Sequence, residues 1–272
     1  VAAGSGGFVI SGQCANDNSG QTVASAGDVN ADGLADLIIG SKAGRSYVVF
    51  GKTGTGAVAL SAVAAASGGF VINGQCAGDQ SGFAVSGAGD VNGDGLADLA
   101  VGAFRADPGG TTNAGQTYIV FGRTGTTGVD LSAVAAGTGG FVINGECGSD
   151  FSGFAVSAAG DVNGDGLADL ILGAPQNSPY AGRSYVVFGQ TGTGAVDLSA
   201  VAAGAGGFVI IGENTLDQAG GSVSNAGDVN GDGLADLLVG ERRGDPAAGS
   251  EAGRGFVIFG STTGAFSPTS VD

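Results

Sequence analysis

The sequence predicts an all-β protein, a β-propeller of four blades with four antiparallel strands in each. Three observations carry that expectation. One unit is written four times, its apolar runs are short and bounded by Gly, Asp, Asn and Ser, and the 3.6-residue periodicity of a helical solenoid is missing. Such a unit is a small sheet that cannot cover both its faces alone, so identical neighbours must stack on it. The 272 residues read as one domain, 1–272.

The unit is anchored by the string Gly-Asp-Val-Asn-(Ala/Gly)-Asp-Gly-Leu-Ala-Asp-Leu. It begins at Gly27, Gly89, Gly160 and Gly227, with successive starts 62, 71 and 67 residues apart. In the second unit the first strand is expected over Phe83 to Gly87, just before the string, and the second over Leu96 to Val101, its apolar tail. The third runs from Thr117 to Phe121, within a set of apolar segments (Tyr47 to Phe50, Tyr118 to Phe121, Tyr185 to Phe188, Phe256 to Phe259) each followed by glycine. A short helical turn follows, over Val58 to Ala65, Val129 to Ala136 and Val196 to Ala203. The fourth strand, Phe141 to Asn144, belongs to the Gly-Gly-Phe-Val-Ile segments at Gly6, Gly68, Gly139 and Gly206. A fourth-strand segment, Phe8 to Ile10, thus stands ahead of the first unit, while the last unit reaches only its third strand near Phe259. Pairing of Phe8 to Ile10 with the last blade would close the ring and remove both exposed edges. The same permutation would also let two chains join or a longer parent chain continue, which leaves monomer or homodimer open.

Composition narrows the chemistry. With no His, Trp or Met, the chain has no imidazole base, no His-ligated metal and no Ser-His-Asp triad. Its formal charge of −16, from 25 acidic and 9 basic residues, repels phosphate backbones and anionic lipid, so no nucleic acid is expected as a partner and cations are. No apolar run approaches the roughly 18 residues of a membrane helix, so no membrane insertion is expected.

The chemistry lies in four loops, 28–36, 90–98, 161–169 and 228–236. Positions 1, 3, 5 and 9 of each are oxygen donors. They are Asp28, Asn30, Asp32 and Asp36; Asp90, Asn92, Asp94 and Asp98; Asp161, Asn163, Asp165 and Asp169; and Asp228, Asn230, Asp232 and Asp236. The main-chain carbonyls of Leu34, Leu96, Leu167 and Leu234 at position 7 supply a further donor, and glycine at position 6 permits the sharp turn. This is an all-oxygen set suited to Ca2+, which takes six to eight oxygens, more than to Mg2+ with its tighter geometry, and up to four ions are expected. An EF-hand is excluded because its twelfth position, a bidentate carboxylate, is Ile39, Val101, Leu172 or Val239 here. Two carboxylates about 5 Å apart repel by roughly 3 kcal/mol at an effective dielectric near 20, so three converging on a loop call for a cation. The loops hold 12 of the 25 acidic residues, and four Ca2+ would bring the formal charge from −16 to −8.

These residues resemble the FG-GAP repeats of integrin α-subunit propellers and of bacterial extracellular calcium-binding proteins. The likeness is carried by Ser81-Gly82-Phe83-Ala84-Val85, Gly89-Asp90-Val91-Asn92-Gly93-Asp94-Gly95, Asp98-Leu99-Ala100-Val101-Gly102 and Gly173-Ala174-Pro175, and it extends over nearly the whole chain. The resemblance implies FG-GAP-like blades, calcium held from the first through the ninth position of each loop, and an extracellular or cell-surface setting. The family-naming Phe-Gly pair stands as Gly82-Phe83 and Gly153-Phe154, and four repeats depart from the family's usual seven blades.

The expected function is a non-enzymatic calcium-binding scaffold, adhesion or protein-interaction module. The alternative is a carbohydrate-binding lectin-type propeller using Phe104, Phe151 or Tyr180. A hydrolase is the weakest reading, because an active site is singular and these acids are repeated. The loops between second and third strands vary most and gather Phe104, Arg105, Asp107, Arg242, Arg243, Asp245 and Glu251 on the face opposite the calcium loops, where a protein or glycan ligand is expected. Cys14, Cys76 and Cys147 occupy equivalent positions, with Asn214 in the fourth copy, and are expected as small buried residues rather than disulfides or functional thiols. Asp17, Asp79, Asp150 and Asp217 recur before each first strand and are expected to satisfy turn amides.

Overall fold

The computed structural model describes residues 6–176, 181–244 and 251–262. Ahead of the first unit lies β1 (Ile10–Ser11). The first unit comprises β2 (Thr22–Gly27), β3 (Asp36–Ser41), β4 (Arg45–Val49), β5 (Val58–Ala59), α1 (Leu60–Ala64) and β6 (Gly69–Asn73). The second comprises β7 (Ala84–Gly89), β8 (Asp98–Ala103), β9 (Gln116–Val120), β10 (Val129–Asp130), α2 (Leu131–Ala135) and β11 (Gly140–Asn144). The third comprises β12 (Ala155–Gly160), β13 (Asp169–Ala174), β14 (Arg183–Val187), β15 (Val196–Asp197), α3 (Leu198–Ala202) and β16 (Gly207–Ile211), and the fourth β17 (Ala219–Gly227), β18 (Asp236–Glu241) and β19 (Arg254–Ile258). The helices fall where the sequence places them, each one turn of Leu-Ser-Ala-Val-Ala with its Leu and Val buried.

Each of the first three units folds into an antiparallel sheet in the order first, second, third, fourth strand, and the fourth unit adds a sheet of three described strands. The register within each first hairpin slips by one residue where the acidic loop begins, between Ser25 and Gly27 in the first unit and Gly87 and Gly89 in the second. In the second and third units the second strand is buried on both faces because a neighbouring sheet covers each side; Asp98–Ala103 and Asp169–Ala174 are buried along their entire length. That is why they read as continuous apolar runs instead of alternating ones.

The seams between sheets hold the core. In the first, Ile38, Val48, Phe70 and Ile72 pack against Leu99, Val101, Tyr118, Leu131 and Val134 of the next unit. Ala100, Ile119 and Phe141 meet Leu170, Leu172 and Tyr185 in the second seam, and Ile171, Val186 and Phe208 meet Leu237 and Val239 in the third. Full burial of each such aliphatic side chain contributes about 1.5–3 kcal/mol. Two main-chain bonds also cross each seam beside the acidic loop. Ala97, Ala168 and Ala235 donate to the carbonyls of Asp28, Asp90 and Asp161, at 3.0–3.1 Å, and Arg123, Gln190 and Ser261 donate to those of Val29, Val91 and Val162, at 2.7–2.9 Å. Among the described residues no helix is long and apolar enough to cross a membrane.

Two expectations fail. The N-terminal strand does not pair with the last sheet: β1 lies parallel to β5, with Ile10 opposite Val58, as β6 lies against β10 and β11 against β15. β6 and β11 each pair both with the short strand of the following unit and with their own third strand, whereas β1 makes only the first of these pairings, so the expected closure is not made among the described residues. Cys14, Cys76 and Cys147 are free and exposed, not buried. They sit in surface turns in which a nearby aspartate caps the main chain: Asp17 accepts from the Cys14 amide at 3.0 Å, Asp150 from that of Cys147 at 3.1 Å and Asp217 from that of Asn214 at 3.1 Å. The turn role of these aspartates is as expected, and it leaves the thiols facing outward.

Candidate metal centre

Each acidic loop joins the first two strands of its sheet. In the second loop Gly93 and Gly95, at positions 4 and 6, have φ of +78° and +89°, which turns the chain back on itself and aims successive amides inward. Position 4 of the first loop is Ala31, held at φ +62°.

Positions 1, 3 and 5 converge. Asp90 accepts from the amides of Gly93 at 2.7 Å, Asp94 at 3.1 Å and Gly95 at 2.9 Å. The Asn92 carbonyl accepts from the Asp94 amide at 2.8 Å, its Nδ2 donates to Asp94 at 2.9 Å, and Asp94 accepts from the Leu96 amide at 2.9 Å. The same bonds organise Asp161, Asn163 and Asp165 and Asp228, Asn230 and Asp232, and all but the position-4 amide bond recur at Asp28, Asn30 and Asp32.

Position 9 is placed differently. Asp36, Asp98, Asp169 and Asp236 are fully buried, and each carboxylate bridges two main-chain amides. One oxygen of Asp98 accepts from Val91 in its own loop at 2.9 Å, and the other from Gly122, after the third strand, at 2.8 Å. The counterparts are Val29 and Gly51 for Asp36, Val162 and Gly189 for Asp169, and Val229 and Gly260 for Asp236. The ninth aspartate is therefore a latch that ties loop to third strand, a role sequence reasoning missed. Its signal was the glycine closing every third strand: a Cβ at Gly51 would stand 2.6 Å from the Ala35 carbonyl oxygen, so only glycine brings its amide close enough.

Burial, chiefly, pushes the Asp98 carboxyl up to about 7, with the Asp94 and Asp90 charges adding to the rise and the Gly122 and Val91 amides opposing it. Asp169 is raised to about 6 and Asp36 in the same direction for the same reasons. Among the described residues no three acidic or cysteine side chains gather tightly enough to form a metal cluster by themselves. The donor set nonetheless fits a hard cation. Each oxygen of Asp98 takes one hydrogen bond and retains a lone pair, and a divalent ion would offset the Asp94 and Asp90 charges that add to its rise.

On the opposite face, Phe104 is buried and packs against Phe83, Phe151 and Phe154, with ring centroids 4.5–5.7 Å away. It is a core residue and not an exposed sugar platform. Tyr180 and Asp245 lie outside the described residues. Between the third and fourth sheets this face opens into a cleft of about 420 Å³ lined by Phe154, Gln218, Glu241, Arg242 and Arg254.

Residues 19–61, 81–120, 152–187 and 219–258 each match the FG-GAP repeat, together well over half the chain. The chain belongs to the FG-GAP repeat family. Among curated proteins it is 33% identical to phosphatidylinositol-glycan-specific phospholipase D of Bos taurus over 167 residues, 58% of this chain and 18% of that protein. It is 33% identical to integrin alpha-2 of Mus musculus over 88 residues, 32% of this chain and 7% of the integrin. Integrin alpha-E of the same species is 36% identical over 102 residues, 33% and 8% of the two chains. The FG-GAP chain thus spans less than a fifth of the length of each of these relatives. Among solved structures it is similar to BBS1N in complex with ARL6DN, with a TM-score of 0.43 and 12% identity over 89% of this chain and 51% of that one in mercury-soaked crystals.

Proposed function

We propose that this FG-GAP chain is a non-enzymatic, calcium-binding interaction module that works outside the cell or at its surface, as an adhesion or scaffold domain. Up to four Ca2+ sit in loops 28–36, 90–98, 161–169 and 228–236, held by the carboxylates and Asn carbonyl of positions 1, 3, 5 and 9 with the position-7 main-chain oxygen. The observation that carries this reading is the hydrogen-bonded arrangement of positions 1, 3 and 5 repeated in all four loops, with the ninth aspartate fully buried in each. Family membership and the integrin relatives support the interaction role. The protein ligand is assigned to the face opposite the loops, where the cleft beside Glu241, Arg242 and Arg254 combines apolar and charged surface. The carbohydrate alternative is not favoured, since Phe104 is occupied in the core.

Calorimetric titration of the metal-free chain with Ca2+, with thermal melts in Ca2+ and in chelator, tests the metal. Sites filled to 100 times Kd stabilise the fold by about 2.7 kcal/mol each if independent. Asp94→Ala should remove at least the second loop's share. Identical melts in Ca2+ and chelator would contradict the reading.

A further inference from the structure

We infer that the second unit carries a small-molecule site on the face of the acidic loops, and that it takes a zwitterion with a carboxylate and an ammonium at the two ends of an apolar body. The site is a cavity of about 420 Å³ between the segment after β9 and α2, with Phe121, Arg123, Val129, Asp130 and Thr138 in its walls. It lies at the end of the sheet that holds the acidic loop, because Gly122, also in its wall, donates its amide to Asp98.

The repeat supplies the comparison, since the same stretch runs from Gly51 to Ala59, from Gly122 to Asp130 and from Gly189 to Asp197 in the first three units. Lys52 donates to the Gly56 carbonyl and Gln190 to that of Gly194, the latter at 3.0 Å, so each of these side chains ties down its own loop. Arg123, at the same position, makes no such bond among the described residues; its guanidinium lies over the Phe70 ring, 5.7 Å from the centroid. A guanidinium over a ring keeps its outward N–H donors available. At the end of the stretch the first unit has Ala59, and the third has Asp197 but Gln190 in place of a cation. Of the three units only the second has both charges, Arg123 and Asp130, and the two do not pair with each other. Asp130 accepts from Asn73 Nδ2 at 2.9 Å through one oxygen, which leaves the other for a ligand. The loop itself departs from the repeat at Gly128, where the other two units have Ala57 and Ala195; a Cβ there would stand 3.2 Å from Val71 Cγ1.

These groups set the ligand class. Arg123 suits a carboxylate, whose two oxygens a guanidinium fork takes together, and Asp130 suits an ammonium. Phe121 and Val129 line the cavity with apolar surface for the body that joins the two charges. A chain of formal charge −16 repels a simple anion, whereas a zwitterion carries no net charge and is selected by where its two charges fall. A ligand with one charge alone leaves either Arg123 or Asp130 without a partner.

Calorimetric titration of the full chain with 6-aminohexanoate in millimolar Ca2+ tests the site, with hexanoate and hexylamine as probes of one charge each. 6-Aminohexanoate should bind one to one with a Kd of about 1 mM or tighter, and each single-charge probe at least tenfold more weakly. Arg123→Gln and Asp130→Ala place at these positions the residue types that the third and first units carry there, so the fold accommodates both. Each should weaken 6-aminohexanoate at least tenfold while the thermal melt stays at that of the intact chain. The inference is overturned by the lack of saturable heat from 6-aminohexanoate, by hexanoate or hexylamine binding as tightly, or by binding that either substitution leaves unaltered.

Discussion

Replacing Asp98 by alanine removes one side chain on which two main-chain amides depend. Asp98 is fully buried and accepts from Val91 at 2.9 Å and from Gly122 at 2.8 Å, so its loss orphans a donor in the loop and another beyond the third strand. Each buried amide left without a partner costs about 1–3 kcal/mol, which sets the range at roughly 2–6 kcal/mol. Relief from burying a charged group offsets part of this, and we expect the lower half, about 2–4 kcal/mol. At roughly 2–4 °C per kcal/mol for a chain of this size, the melt should fall by on the order of 10 °C. The assay is a circular-dichroism melt in chelator, where no metal contributes. Asp94→Ala is the contrast: Asp94 is exposed and its bonds to Leu96 and Asn92 are surface bonds, so in chelator its removal should cost no more than about 1 kcal/mol. A melt for Asp98→Ala within 2 °C of the intact chain, or equal falls for the two variants, would refute the latch.

Phe104→Ala should cost about 3–5 kcal/mol in a denaturant titration, because the ring is buried among three other phenylalanines; near-native stability would show the cluster to be peripheral. Gly89→Ala should destabilise more than Gly227→Ala by about 1–3 kcal/mol, since both sit at left-handed φ but only Gly89 faces a methyl across a seam. Equal melts for the pair would contradict it. Glu241 is buried and raised above 4.5, first by burial and then by Asp217. Its folded state favours the proton, so its contribution is most favourable below 4.5 and is lost as pH rises through the raised value. Glu241→Gln should therefore melt progressively higher than the intact chain as pH rises from about 5 to 8, and a constant difference would refute this.

The repeat and its strands were legible because each strand is bounded by turn residues and each unit repeats the same order. Single residues show where legibility ended. Ile10 was readable as strand but not its partner, since Val58–Ala59 is a two-residue strand whose parallel pairing depends on the sheet ahead of it. Cys14, Cys76 and Cys147 were misplaced because periodicity finds equivalent positions without saying which side of a turn faces water. Asp98 was readable as an oxygen donor, but its bond to Gly122 joins residues 24 apart, and only the glycine after each third strand hinted at it. Phe104 falls in a loop by sequence, yet the loops of adjacent units bring Phe83, Phe151 and Phe154 to it.

The acidic loops are seams as much as sites. The Asp28 carbonyl accepts from Ala97, which lies inside the second loop, and the Val29 carbonyl from Arg123 just beyond Gly122, whose own amide is held by Asp98. A distortion of the second loop therefore reaches the first through two hydrogen bonds, and the third through the carbonyls of Asp90 and Val91. A cation that fixes Asp90, Asp94 and Asp98 would settle these seam bonds together, and the neighbouring loop would bind at lower ordering cost. The proposed calcium sites would then bind with positive coupling between neighbours, and losing one ligand set should weaken the adjacent sites as well as its own. A titration that fits four independent sites, with Asp94→Ala subtracting one and leaving the others unaltered, would show the seams too stiff to transmit occupancy.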